Sequence, residues 1–135
     1  MPTQTKKATI LVIEDNAPLA TLYITCLQNM GYEVEECFDG NSAMQKIQHS
    51  QPDLIVLDIM LPFVSGYEIL AHLREKMKSR VPVVVLSALS QKENIDKAYA
   101  LGVRDYIVKS ESGLSEICAR IEKAIDAPSP VASQP

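Results

Sequence analysis

Four short apolar runs in the chain each end in a polar, chemically capable residue. The runs and the residues that end them are 8–13 with Glu14 and Asp15, 54–57 with Asp58, 83–86 with Ser87, and 106–108 with Lys109. Continuous apolar runs rich in β-branched residues favour strands that are buried on both faces, as in parallel sheets. The carboxyl ends of adjacent parallel strands share one edge, where open α/β sheets place ligands. The sequence therefore predicts three carboxylates, a hydroxyl and an ammonium in one crevice.

The composition is that of an ordinary globular domain. The 135 residues are 47% hydrophobic and 22% charged, and the net charge of −4 argues against direct nucleic-acid binding by this chain. No apolar stretch is long enough to span a membrane, so we expect a soluble, cytoplasmic protein without membrane contact. The three widely spaced cysteines match no zinc motif and favour free thiols in a reducing compartment.

Strand and helix patterns alternate five times along residues 8–126, which predicts one α/β layered domain with right-handed crossovers. The second strand, near 32–37, mixes apolar and acidic residues, a pattern typical of a sheet edge. Residues 1–7 are polar, and residues 127–135 are rich in proline and serine. We therefore expect both termini to be flexible.

Two local patterns predict details of the helices. Apolar residues at helical spacing between Leu19 and Met30, Leu22 among them, predict one stripe of the first helix that faces the sheet. The segment from Ser90 to Glu93 has the pattern of a capping box, which predicts that the fourth helix starts there.

The acidic residues at the predicted edge favour a divalent cation. Carboxylates that share one edge repel each other unless a cation neutralises them, and Mg²⁺ prefers oxygen ligands of this kind. We expect Asp15 and Asp58 to be direct ligands, with Glu14 acting directly or through water. The simpler interpretation is that Glu14 and Asp15 only cap the first helix, although one of them would suffice for a cap.

Asp58 is the candidate reactive residue, because a carboxylate can attack phosphorus and form an acyl phosphate. Phosphoryl transfer needs mainly positioning and charge neutralisation. Lys109 can supply positive charge to a phosphate oxygen, and Ser87 can donate a hydroxyl hydrogen bond. Taken singly, Lys109 can be interpreted as an ordinary surface lysine and Ser87 as a turn residue. Because all four strands end in a polar residue of suitable chemistry, a shared site is favoured.

These residues resemble the CheY-like receiver domains of bacterial two-component response regulators. The resemblance covers about residues 8–126. It rests on five matches in order: the acidic pair Glu14-Asp15, Asp58 with Leu61-Pro62 and Ser65-Gly66 after it, Ser87-Ala88, Tyr106, and Lys109. It implies a doubly wound five-stranded parallel sheet in the order 2-1-3-4-5, a flavodoxin-like three-layer sandwich.

The resemblance also implies a function. A sensor histidine kinase or histidine phosphotransfer protein would phosphorylate Asp58, with Mg²⁺ or Mn²⁺ bound by the acidic residues and the backbone carbonyl of Met60. The phosphoryl group would contact Ser87, Ala88 and Lys109. A switch through Ser87 and Tyr106 would then change the surface of the fourth helix, fifth strand and fifth helix. Such a domain catalyses only its own phosphoryl transfer and dephosphorylation, and is not otherwise an enzyme.

The chain departs from the family pattern after Lys109. Receivers usually have a cis proline at the next position, where this chain has Ser110. A cis bond before a non-proline residue costs about 3–4 kcal/mol, so the loop is expected to have a different shape. We predict that Lys109 nevertheless reaches Asp58.

Three alternatives remain. A pseudo-receiver would keep the fold and act only as a protein interaction module, without phosphorylation. An aspartyl phosphatase would carry a second aspartate two residues after Asp58, where this chain has Met60. A nucleotide-binding protein would need a glycine-rich phosphate loop, which the sequence lacks. The downstream partner is either a separate protein or an output domain that this sequence does not contain.

Overall fold

The computed structural model describes residues 8–126. The strands are β1 (Thr9–Ile13), β2 (Glu33–Cys37), β3 (Leu54–Leu57), β4 (Val83–Ser87) and β5 (Asp105–Val108). The helices are α1 (Ala17–Asn29), α2 (Gly40–Ser50), α3 (Gly66–Ala71), α4 (Lys92–Ala100) and α5 (Leu114–Asp126). A π-helical turn, His72–Lys76, extends α3. The predicted flexible termini lie outside the described residues.

The strands form one parallel sheet in the order β2-β1-β3-β4-β5. This confirms the predicted α/β fold and its strand order. The acidic strand β2 lies at an edge, as its mixed pattern predicted. The three central strands are almost fully buried, because helices cover both faces of the sheet.

Alternate residues of the central strands point to opposite faces of the sheet and belong to two separate hydrophobic cores. On one side, Leu11, Ile55 and Val85 pack with residues of α2, α3 and α4. On the other side, Val12 and Val56 pack with residues of α1 and α5. The result is the predicted three-layer sandwich. None of the helices in residues 8–126 has the length and apolar character needed to cross a membrane.

The α4 helix begins at Lys92, where the sequence predicted its start, but two other local predictions about the helices were wrong. The α4 helix has Gln91 as its N-cap residue without a side-chain cap, so the box from Ser90 to Glu93 does not form. A capping box forms instead at the start of α3, between Ser65 and Glu68. Leu22 was assigned to the buried stripe of α1 but is 51% exposed, because Tyr23 and Leu27 take the sheet-facing positions.

Candidate functional site

The register of the sheet brings Glu14 and Asp58 side by side. Ile13 of β1 pairs with Leu57 of β3, and each acidic residue follows directly. The backbone N–H of Asp58 donates a hydrogen bond to the carbonyl of Ile13 at 3.0 Å. Both side chains are buried, with 3% of Glu14 and 5% of Asp58 exposed. The two carboxylates are therefore fixed by the strands and not by mobile loops.

Lys109 enters the same crevice from the end of β5. Its ammonium Nζ lies 2.7 Å from Glu14 Oε1 and 3.0 Å from Asp58 Oδ2. The predicted approach of Lys109 to Asp58 therefore occurs. The ammonium forms charge-assisted hydrogen bonds to both carboxylates and links the ends of three strands. We refer to Glu14, Asp15, Asp58, Ser87 and Lys109 together as the acidic crevice.

Burial and charge act in opposite directions on the titrating groups of the acidic crevice. Burial raises the pKa of the Glu14 carboxyl above its usual value, although the hydrogen bond from Lys109 works against the shift. Burial alone would lower the pKa of Lys109, but the hydrogen bond to Glu14 and the charge of Asp58 outweigh it and raise that pKa. Lys109 is therefore charged at neutral pH.

The three carboxylates of the acidic crevice can hold a metal ion together. Glu14, Asp15 and Asp58 each offer an oxygen, and these oxygens all lie within 4.8 Å of one another. Asp15 is exposed, so one side of the group faces solvent. Three carboxylates and one ammonium leave an excess of negative charge. This oxygen-only donor set fits a hard divalent cation such as Mg²⁺.

The loop after β3 holds the buried Asp58 side chain in a fixed position. Asp58 Oδ1 accepts a hydrogen bond from the backbone N–H of Met60 at 3.0 Å. Gly66 packs directly behind Asp58, because a Cβ atom at residue 66 would lie 2.6 Å from the Asp58 carbonyl oxygen. This close approach is the physical reason for glycine in the Ser65-Gly66 motif.

The remaining predicted residues are Ser87 at the end of β4, Ala88 directly after it, and Tyr106 in β5. Ser87 is fully buried, and its Oγ accepts a hydrogen bond from the N–H of Leu89 at 3.2 Å. Ala88 is exposed between them. Tyr106 points inward, and its hydroxyl donates a hydrogen bond to the Leu89 carbonyl at 2.9 Å. Ser87 and Tyr106 thus contact the same short segment, and the carbonyl of Leu89 is a partner that no sequence pattern signalled.

The peptide bond after Lys109 has the trans form that its sequence predicts. Residues Lys109–Glu111 form a 3₁₀ turn, and the peptide bond between Lys109 and Ser110 is trans. The α5 helix begins at Leu114, and Leu114 is exposed. Lys109 therefore reaches the carboxylates without the proline that usually follows it in receivers.

Comparison with known proteins gives a consistent assignment. The family model described as the response regulator receiver domain matches residues 10–122. The phosphate regulon transcriptional regulatory protein PhoB of Escherichia coli is 39% identical over 124 residues, which cover 91% of this chain and 54% of PhoB. The chain thus spans about half the length of this curated relative.

Solved structures agree in fold. The receiver domain of the Francisella response regulator 1452 superimposes with a TM-score of 0.82 at 30% identity, covering 88% of this chain and 97% of that chain. The BeF3-activated N-terminal receiver domain of Klebsiella pneumoniae RstA superimposes with a TM-score of 0.80 at 28% identity, covering 88% of this chain and 99% of that chain.

Proposed function

The chain belongs to the family of response regulator receiver domains, and from this premise we propose that it is a phosphorylation-dependent switch with Asp58 as phosphoacceptor. One observation carries the proposal: the Asp58 carboxylate lies in the acidic crevice, 3.0 Å from the Lys109 ammonium. A carboxylate held in this way can act as a nucleophile toward phosphorus. Its Oδ1 is already oriented by the Met60 N–H, which reduces the motion needed for attack.

We propose Mg²⁺ or Mn²⁺ as the metal, bound by Asp15, Asp58 and Glu14, with the backbone carbonyl of Met60 as a further ligand. The support is the oxygen cluster of the three carboxylates and its excess negative charge. When bound, the ion would neutralise the carboxylates and the oxygens of an incoming phosphoryl group.

In the proposed transfer, a carboxylate oxygen of Asp58 forms a bond to phosphorus while the bond from phosphorus to the donor imidazole nitrogen breaks. Lys109 holds a phosphoryl oxygen by a charge-assisted hydrogen bond, and the Ser87 hydroxyl donates to another oxygen next to Ala88. The donor is a sensor histidine kinase or a histidine phosphotransfer protein. Apart from this transfer and the loss of its own phosphoryl group, the domain catalyses nothing.

The proposed switch runs from Ser87 to Tyr106 through the segment between β4 and α4. The Ser87 hydroxyl and the Tyr106 hydroxyl each contact the backbone of Leu89. A movement of Ser87 toward a phosphoryl group therefore displaces a segment that Tyr106 also holds. We expect the surface of α4, β5 and α5 to change as a result and to alter partner binding.

The downstream partner of the switch is either a separate protein or an output domain. PhoB, the relative that is 39% identical, is named as a transcriptional regulator and is about twice as long as the matched region. We expect this domain to act through such a partner and not to contact nucleic acid or membrane itself. A cytoplasmic location stays a prediction.

Intact-mass spectrometry after incubation with acetyl phosphate and Mg²⁺ tests the proposal. We expect the added mass of one phosphoryl group, no addition in EDTA, and none in Asp58→Asn. Asp96→Asn is the matched control, because Asp96 is an exposed carboxylate on α4, and it should be phosphorylated like the wild type. Wild-type protein that gains no mass would support the pseudo-receiver alternative, a module that binds partners without phosphorylation.

The same experiment followed over time measures the lifetime of the phosphoryl group. Met60 and Leu89 flank the acidic crevice, and neither side chain can orient or activate a water molecule. We therefore expect slow loss of the added mass. Complete loss within seconds would contradict this expectation.

A further inference from the structure

The opposite end of the sheet holds a cavity that the proposed function does not use. Its volume is about 680 Å³, and it lies where the turn after α3 meets the turn between α4 and β5. The residues that line it are Arg74, Glu75, Lys78–Arg80, Pro82 and Tyr99–Arg104. This volume is in the range of small-molecule sites in proteins. We call it the basic cavity.

Arg74 fixes the two walls of the basic cavity to each other. Its Nε donates to the Leu101 carbonyl at 3.0 Å, and its Nη2 donates to the Gly102 carbonyl at 3.2 Å. Its Nη1 donates to the carbonyls of Ser79 at 3.1 Å and Val81 at 2.9 Å on the other wall. The guanidinium therefore holds the cavity in a preformed shape, which lowers the cost of binding a ligand there.

The charge of the basic cavity is opposite to that of the whole chain. Arg74, Lys78, Arg80 and Arg104 line it with one acidic residue, Glu75, whereas the chain has a net charge of −4. Lys78 and Arg80 are exposed, and neither forms an ion pair with any residue within 8–126. Their charges are thus available to an anionic ligand.

The backbone at Lys78 is unusual in the same place. Lys78 follows the π-helical turn and has a φ of 54°, in the left-handed region that glycine normally occupies after a helix. A lysine there is strained, and both strained residues and π-helical turns concentrate at functional sites. This observation is independent of the charge of the cavity.

The lining also includes apolar residues. Pro82, Leu101 and Val103 line the cavity, and Tyr99 is 46% exposed. We propose that the basic cavity binds a small aromatic anion, a molecule with a flat apolar body and a sulfonate, phosphate or carboxylate group. The anionic group would lie against Lys78 and Arg80, and the flat body against Tyr99. The proposal does not depend on phosphorylation of Asp58, which lies at the other end of the sheet.

Two-dimensional ¹H–¹⁵N NMR of the full chain, titrated with 8-anilinonaphthalene-1-sulfonate, tests the proposal. We expect saturable shifts of the backbone amides of residues 78–81 and 99–104. N-phenyl-1-naphthylamine, which has the same rings without the sulfonate, should bind more weakly, and inorganic sulfate should shift the amides near Arg80 only at much higher concentration. Shifts confined to another surface, or equal affinity for the neutral probe, would overturn the proposal.

Two variants make the test specific to the cavity. Arg80→Glu should weaken binding of the sulfonate about fivefold or more. It removes the attraction between the exposed guanidinium and the sulfonate and replaces it with the repulsion of a carboxylate. Lys46→Glu changes an exposed lysine on α2 that does not line the cavity, and it should bind like the wild type. Equal binding by both variants would contradict a role for the basic residues of the cavity, even if the sulfonate binds.

Discussion

The two ends of the sheet each hold a partly buried cation, but with different partners. At the carboxyl end, Lys109 faces the carboxylates of Glu14 and Asp58. At the amino end, Arg74 faces four backbone carbonyls, of which two belong to Leu101 and Gly102. Carbonyl dipoles satisfy the guanidinium without adding charge, whereas the carboxylates outnumber the ammonium. The carboxyl end is left with excess negative charge, whereas at the amino end the positive charge of Arg74 is hydrogen-bonded but has no carboxylate partner within residues 8–126.

This difference indicates that the carboxyl end of the sheet serves function and that the amino end serves stability. Clustered carboxylates cost stability because they repel each other, and natural proteins keep such groups where function requires them. The acidic crevice should therefore respond to metal ions and to pH. The network around Arg74 should instead contribute to stability under all of these conditions.

The largest expected effect is the loss of the Arg74 network. Arg74→Met removes four hydrogen bonds and leaves partly buried carbonyls without a donor, so the free energy of unfolding should fall by about 3 kcal/mol. Urea unfolding measures it, with and without Mg²⁺. Arg80→Met, a nearby exposed arginine, is the control and should change stability by less than about 0.5 kcal/mol. A loss in Arg74→Met that Mg²⁺ restores would contradict the claim that the Arg74 network stabilises the fold independently of metal ions.

The next largest loss of stability is expected when Lys109, the cation at the carboxyl end of the sheet, is removed. Lys109→Met leaves Glu14 and Asp58 buried without a positive partner, and the free energy of unfolding in EDTA should fall by about 1–2 kcal/mol, less than for a fully buried pair because the Lys109 side chain is 17% exposed. Mg²⁺ should restore most of this loss, because the metal can replace the ammonium as the neutralising charge. The same loss in EDTA and in saturating Mg²⁺ would show that the crevice does not bind the ion in the expected place.

A smaller effect concerns pH. Because the pKa of Glu14 is raised by burial, its protonated form stabilises the folded state, and that contribution is lost as pH rises from about 4.5 through the folded pKa. Without metal, Glu14→Gln should therefore gain stability relative to the wild type as pH rises from 4 to 7. Urea unfolding at several pH values in EDTA measures the difference. For Arg74→Met, the difference in free energy of unfolding from the wild type should not change with pH. If the difference for Glu14→Gln is also independent of pH, burial does not raise the pKa of Glu14 as assigned.

The sequence predicted the parts of the site that depend on strand ends. Glu14, Asp58, Ser87 and Lys109 each follow an apolar run, and a parallel sheet brings the ends of such runs together whatever the loops do. Lys109 reached Asp58 although Ser110 replaces the usual proline, because β5 already directs its side chain into the crevice.

Features that depend on loops and packing could not be predicted in the same way. The capping box at Ser90 did not form, because the chain enters α4 through Gln91, and local sequence alone does not fix that approach. The basic cavity depends on hydrogen bonds from Arg74 to the carbonyls of Leu101 and Gly102, 27 and 28 residues away in the chain, for which no sequence pattern exists. The contact of Tyr106 with the Leu89 carbonyl likewise needs the folded β4 segment.

The most direct test of the account is a crystal structure with Mg²⁺ and beryllofluoride, a mimic of the phosphoryl group. We expect the mimic on Asp58, with the Lys109 ammonium on one of its fluorides and no longer paired with Glu14, which the metal takes as a ligand. Ser87 should lie closer to the mimic, with Tyr106 still inward. A mimic bound elsewhere, or an Asp58 without it while Lys109 keeps both carboxylates, would contradict the claim that this crevice accepts a phosphoryl group.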